Sequence, residues 1–359
     1  MENMTPYHTT ARLVILAPNW LGDAVMALPA IADVRRAVPH ASIAVAARAS
    51  VAPLFRMASS TGLVDDAIVL ERRTVLRARE LGAELADRHF DTALLLPNSL
   101  HAALTASRAG IRERWGYRTE CRGRLLTRAI YPPSGLHQVE YYQQLVHALG
   151  FSNGPMEPRI AVPSDVRDSA VRLLAETGWD RRAPLVAIAP GAAYGGAKKW
   201  PAASFAALAA SLAGDGVRVV MIGTAADRAT ADEVIGVSAR LKPRAPSFID
   251  LVGHTDLAVL AGVFTACRAL VTNDSGAMHL AAAVGTRVTA VFGPTDERAT
   301  RPLGQGHTVI TGPAWCRPCM LRECPLDHRC MRGIEATQVA TATRANLANL
   351  VNLANSANP

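Results

Sequence analysis

The stretch Thr272-Asn273-Asp274-Ser275-Gly276-Ala277-Met278-His279 decides how the chain is read. It follows Ala269-Leu270-Val271, an apolar run that reads as a buried strand, and precedes Leu280-Ala281-Ala282-Ala283-Val284, which reads as helix. Asp274 or Ser275 is a natural N-cap, and Gly276 lets a ligand approach the backbone closely. The first turn of such a helix carries N–H groups without intrahelical partners and a partial positive charge. It therefore suits an anion such as a diphosphate. His279, one turn in, is expected to face the same pocket. The same residues also describe an ordinary capped turn, and this stretch alone does not separate the two readings.

The pattern of strand, turn and helix recurs on both sides. In the first half, strands are expected over residues 11–17, 43–47, 66–70 and 91–96. Helices are expected over 24–38, with Pro29 kinking or delaying the helix, and over 72–88. A further helix opens near His137 and runs towards Leu149. Residues 151–164, interrupted by prolines, read as a linker, followed by a helix over 164–177. The second half offers strands over 185–189, 217–222, 247–251, 269–272 and 288–292. Alternating strands and helices predict an α/β protein built on parallel, doubly wound sheets, with ligands at the carboxyl ends of the strands. The expected divisions are residues 1–160, residues 161–335 and a helical tail over 336–359.

Composition bounds the function. The chain has 359 residues, 50% hydrophobic and 19% charged, which suits a globular protein of two domains. No apolar run approaches the ~18 residues of a membrane span. The N-terminus lacks a basic segment leading into an apolar core, so no secretory signal is expected and a cytoplasmic location follows by default. The net charge of +8 favours anionic partners. The basic residues are scattered, which argues against nucleic acid. Lys198, Lys199 and Lys242 are the only lysines; every other permanent cation is Arg. The adjacent pair Lys198-Lys199 therefore stands out, because a compact ammonium can point at a phosphate.

Three turns at strand ends carry polar groups. In Asn19-Trp20-Leu21-Gly22-Asp23, the carboxylate at a helix start is held ionised, so Asp23 is either a cap or a general base. The run from Ala189 to Pro201 holds Gly191, Gly195, Gly196, Lys198 and Lys199, which is what a phosphate loop needs; it matches neither the Walker motif nor G-x-G-x-x-G. In the turn Gly223 to Asp227, Asp227 can hold ribose hydroxyls or cap the next helix. Cys316, Cys319, Cys324 and Cys330 are spaced C-x2-C-x4-C-x5-C, with Asp327 and His328 nearby. A structural zinc or iron–sulfur site and free packed thiols both remain open, while disulfides are disfavoured in a reducing compartment. Cys121 and Cys267 read as isolated core residues.

Together these blocks resemble glycosyltransferase family 9, the ADP-heptose:lipopolysaccharide heptosyltransferases, and within it the heptosyltransferase II branch. The resemblance rests on "NWLGDAVMALPAI", "APGAAYGGAKKWP", "TNDSGAMHLAAAVG" with "VFGPTDERATRP", and "CRPCMLRECPLDHRC", in that order over nearly the whole chain. It implies a GT-B fold, two Rossmann-like domains facing a cleft, the first binding acceptor and the second the ADP-sugar, with a tail that can pack back on the first. It implies inverting transfer of L-glycero-D-manno-heptose from ADP-heptose to the inner-core heptose of Kdo2-lipid A in lipopolysaccharide. A sister family 9 activity with another donor or acceptor, or a nucleotide-binding protein without transfer, are the alternatives.

Carried over by position, Asp23 matches the base, Lys198 the lysine near the donor phosphates, and Asp274 the acid at the donor sugar. Ser275, Gly276 and His279 lie around the diphosphate, Asp227 is a looser match to the ribose acid, and Lys199 can replace Lys198. No catalytic cofactor is expected; a structural zinc at the cysteines is the one metal considered. The Arg-rich segments 108–114 and 118–128 are expected to meet the acceptor's anionic groups and the inner-membrane surface, unless they are simply a solvated face.

Overall fold

Runs of Val, Ile, Leu and Ala that are apolar on both faces suit strands covered on both sides, and the sheets are built from them. The computed structural model describes residues 10–70, 78–241 and 248–356. The chain divides into two units, Met1–Ala161 and Val162–Pro359, so the boundary falls in the expected linker.

The first unit contains β1 (Arg12–Leu16), β2 (Ser42–Arg48), β3 (Asp66–Leu70), β4 (Thr92–Leu95), β5 (Glu113–Tyr117) and β6 (Arg128–Ile130). They form one parallel sheet in the order β3-β2-β1-β4-β5-β6. The second unit contains β7 (Leu185–Ala189), β8 (Arg218–Met221), β9 (Ile249–Asp250), β10 (Ala269–Asn273), β11 (Arg287–Phe292) and β12 (Thr308–Thr311). Their order, β12-β11-β10-β7-β8-β9, is again parallel throughout. Counted from its own first strand, each sheet has the same order. Each is therefore a Rossmann-like sheet whose order reverses beside its first strand, and two such units are the components of the expected GT-B fold. That reversal, β1 against β4 and β7 against β10, is where loops at the carboxyl ends diverge and ligands bind.

Three strands went unread in the sequence. β5 is Glu113-Arg114-Trp115-Gly116-Tyr117, and its arginine disguises a strand. β6 and β12 are short and lie at the sheet edges. The arginines here are partly structural. Arg114 Nε donates to the Leu125 carbonyl at 2.6 Å. Arg122 is fully buried and its Nε donates to the Tyr117 carbonyl at 2.9 Å. Arg122 therefore does not offer its charge to a surface ligand, whereas Arg108, Arg112, Arg118 and Arg124 are exposed.

The expected helix over 24–38 is two helices, Leu21–Met26 and Leu28–Ala37, meeting at Ala27. Pro29 sits in the first turn of the second, where its missing N–H has no intrahelical partner to lose. Of the helix expected over 72–88 the structure describes Ala78–Ala86; residues 72–77, Lys242 and Ser247 lie outside the described residues. The tail helix, Ala336–Ser356, packs on the helix Ala202–Gly214 and on β10 and β11. It is thus part of the second unit rather than a separate segment. Its buried face includes Val339, Ala340 and Thr343, and Asn346 Nδ2 donates to Thr289 Oγ1 of β11 at 3.1 Å. Among the described residues no helix is long and apolar enough to cross a membrane.

Candidate functional site

In the second unit, β7 and β10 run side by side, with Thr272 opposite Ala189. The glycine-rich loop leaves β7 and the opening stretch leaves β10, so both emerge at the reversal point. Asn273 ties them together. Fully buried, it donates from Nδ2 to the carbonyls of Pro190 (2.9 Å) and Gly191 (3.2 Å), and its Oδ1 accepts from the Trp200 N–H at 3.0 Å. One amide side chain thus fixes both ends of the loop. Trp200 anchors the far end: it is 1% exposed, packs edge-on against Phe205 and donates from Nε1 to the Ile334 carbonyl at 3.0 Å.

This pinning delivers Lys198 to Asp274. Their Nζ and Oδ2 are 2.6 Å apart, with side-chain exposures of only 12% and 7%. Thr295 Oγ1 donates to the same Oδ2 at 2.7 Å, and the Tyr194 ring lies under the ammonium, 4.6 Å from Nζ to centroid. Ser275 occupies the N-cap of the helix Gly276–Ala283, yet its side chain makes no capping hydrogen bond; its hydroxyl pairs with Thr272 Oγ1 at 3.0 Å. The expected side-chain cap is absent because both polar groups are engaged elsewhere. The helix start is left uncapped by Ser275, with Ser275, Gly276 and Ala277 only half-buried. His279 is buried within the same helix, at 6% exposure.

The remaining residues singled out in the second unit divide. Asp227 does cap: its Oδ2 accepts from the Thr224 N–H at 2.9 Å and the Thr224 hydroxyl at 2.8 Å. Its other oxygen faces Gly191, where an added Cβ would stand 2.1 Å from Oδ1. The carboxylate therefore caps with one oxygen and packs against Gly191 with the other, and Gly191 is required for its approach. Lys199 goes elsewhere: its Nζ donates to Thr230 Oγ1 at 2.9 Å, on the helix Arg228–Leu241. Of the two lysines, only Lys198 is brought to Asp274.

In the first unit, Asp23 lies in the first turn of the helix Leu21–Met26, half-buried, just after the exposed Trp20. Burial, and then the Asp23 charge, raise the phenol of Tyr142 well above its ordinary value. Beyond the carboxyl ends of β1, β2 and β4 lies a small cavity of about 80 Å³, continuous with solvent, lined by Asn19, Arg48, Ser99, His101 and Thr105 among apolar neighbours. His101 Nδ1 is buried there without a hydrogen-bond partner. Burial, and then the Arg48 charge, lower the pKa of His101 and favour neutral imidazole.

The cysteine segment packs on the glycine-rich loop. Cys316, Cys319, Cys324 and Cys330 are all free thiols. Burial raises the Cys330 thiol, and Cys316, Cys324 and Cys319 add to the shift, so the four are neighbours. Among the described residues, however, no group of three or more Cys, His, Asp or Glu is arranged to hold a metal ion. Cys267 is buried as expected, but Cys121 is exposed, in a left-handed turn before the short helix Arg122–Leu125.

Residues 78–330 match the family model for glycosyltransferase family 9 (heptosyltransferase). The chain is 31% identical to the lipopolysaccharide heptosyltransferase 2 of Salmonella typhimurium over 83% of this chain and 87% of that one. It is 30% identical to the Escherichia coli protein of the same name over the same shares. The structure of E. coli ADP-heptose lps heptosyltransferase II superposes with a TM-score of 0.79 at 27% identity, covering 94% of this chain and 99% of that one. A family 9 glycosyltransferase from Veillonella parvula, 20% identical, shares the fold at a TM-score of 0.82, over 94% and 98%. The loops that meet at Asp274 fall within the matched region, and the chain belongs to glycosyltransferase family 9, the heptosyltransferases.

Proposed function

We propose that the chain transfers L-glycero-D-manno-heptose from ADP-heptose to the inner-core heptose of Kdo2-lipid A, with inversion, in building the lipopolysaccharide core. The observation that carries this reading is the buried Lys198–Asp274 pair beside the start of the helix Gly276–Ala283. A carboxylate next to a diphosphate is normally repulsive. Here Lys198 and Thr295 compensate it, so Asp274 can bind sugar hydroxyls without expelling the phosphates. Lys198 and the helix start then meet the charge that grows on the β-phosphate as the anomeric C–O bond breaks. Asp227, beside Gly191, takes the ribose hydroxyls.

Asp23 accepts the proton of the attacking acceptor hydroxyl, and the new C–O bond forms on the face opposite the departing ADP. The reaction then needs no catalytic cofactor. The cavity with Arg48 and the neutral His101 suits an anionic, hydroxyl-rich sugar. The exposed Arg108, Arg112, Arg118 and Arg124 suit the acceptor's phosphates and a peripheral contact with the cytoplasmic face of the inner membrane.

The test is ADP release and product mass with truncated lipopolysaccharide acceptors. Transfer is expected to the acceptor ending in the first heptose and not to Kdo2-lipid A lacking it. Transfer to the latter alone would move the chain to another step of the family's chemistry.

A further inference from the structure

Residues 315–324, the front of the cysteine segment, bridge two loops that converge on Asp274. On one side the Met320 N–H donates to the Pro294 carbonyl at 2.9 Å. Arg317 reaches the Gly293 carbonyl from Nε and Glu297 from Nη2, at 2.5 and 2.8 Å. That loop supplies Thr295 to Asp274. On the other side the segment lies along the donor loop. Tyr194 donates its hydroxyl to the Met320 carbonyl at 2.8 Å, the Gly196 N–H donates to Glu323 Oε1 at 3.0 Å, and the Ala197 N–H donates to the Arg322 carbonyl at 2.9 Å. Gly195 stands at φ +156°, and a Cβ there would be 2.3 Å from the Arg322 carbonyl oxygen. Arg322 and Lys198 both lie over the Tyr194 ring, 5.3 and 4.6 Å from its centroid.

We infer that this segment is a brace for the donor loop and that Glu323 is a positioning residue for Lys198. The inference rests on the proposed donor site but names residues that touch no donor in that reading. Residues 194–197 come just before Lys198, and three successive contacts fix their path. With the brace in place, the short turn Gly196–Lys198 carries Nζ to Asp274 without searching other conformers. Loss of the Glu323 carboxylate frees the Gly196 N–H and loosens the turn. The donor must then order the loop on binding, which weakens binding while the chemical step in the filled site is little changed. Glu323→Gln keeps an oxygen acceptor for that N–H and should restore the loop.

Glu323 is exposed, so its variants should fold. The experiment measures donor and acceptor KM, kcat and calorimetric ADP affinity for Glu323→Ala, Glu323→Gln, Gly195→Ala and Lys198→Ala. Glu323→Ala should raise donor KM and ADP Kd about tenfold, with kcat and acceptor KM within about twofold of the parent. Glu323→Gln should return both constants to within about twofold. Gly195→Ala, whose methyl pushes the brace away, should act in the same direction as Glu323→Ala. Unchanged ADP affinity in Glu323→Ala overturns the inference, and so does tighter binding, which would make Glu323 a stand-in that the diphosphate displaces. If Lys198→Ala also leaves ADP affinity intact, the donor-site reading itself falls; if only the Glu323 and Gly195 variants are silent, the brace alone falls.

Discussion

The two units share one strand order and differ at the point where that order reverses. In the second, the reversal is filled: Asn273 and Trp200 pin a long loop, and Lys198 is paired with Asp274. In the first, no such pinned loop fills the reversal among the described residues: a small solvent-open cavity lies beyond β1, β2 and β4, and His101 Nδ1 lining it has no partner. A site that grips a diphosphate binds more tightly when its loops are already ordered, since the ordering cost is then met in folding. In the proposed reading the same fold serves two tasks through its loops.

Several variants break or sharpen that contrast. The largest effect is expected at Asp23: Asp23→Asn should lower kcat by ~10²–10⁴-fold in a transfer assay, the usual contribution of a general base. Lys198→Ala should lower kcat/KM for ADP-heptose by ~10²-fold or more, as loss of a charge-stabilising group does. Asn273→Ala strands buried backbone groups at the loop ends and should destabilise the protein by about 1–3 kcal/mol, read as a shifted urea midpoint. Arg48→Ala in the first unit should raise acceptor KM by about tenfold while donor KM holds. An equal rise in both constants would erase the contrast. Lys199→Ala, aimed at Thr230, should stay within about threefold.

The smallest effect concerns thiols. Burial pushes the Cys267 thiol up to about 12, so at pH 8 it stays protonated and unalkylated in the native protein. Exposed Cys121 should label readily. The sign follows from the thiolate being the nucleophile: the raised pKa protects Cys267 at every pH below it.

Much of the fold is legible in the sequence, and the exceptions have a common cause. The apolar runs mark most of the strands, and scarcity makes Lys198 conspicuous. Strand β5 is hidden because Glu113 and Arg114 look like surface; only the fold reveals that Arg114 turns back onto the Leu125 carbonyl. Asn273 lies inside the opening stretch yet gives no sign of pinning residues 190–200, because that role exists only once β7 lies beside β10. The choice between Lys198 and Lys199 likewise depends on how the loop turns. The spacing of the four cysteines invites a metal, but spacing carries no geometry, and among the described residues no group of three or more candidate ligands is gathered. Glu323 is separated from Gly196 by most of the second unit's sequence, so no local pattern could join them.

The proposed function divides labour between the units, with grip in the second and proton transfer in the first. Calorimetric titration of ADP into Asp23→Asn and Lys198→Ala, set beside their turnover, tests this division most directly. Parental ADP affinity with collapsed turnover is predicted for Asp23→Asn, and an affinity loss of ~10-fold or more for Lys198→Ala. Weakened ADP binding in Asp23→Asn together with intact binding in Lys198→Ala would contradict it.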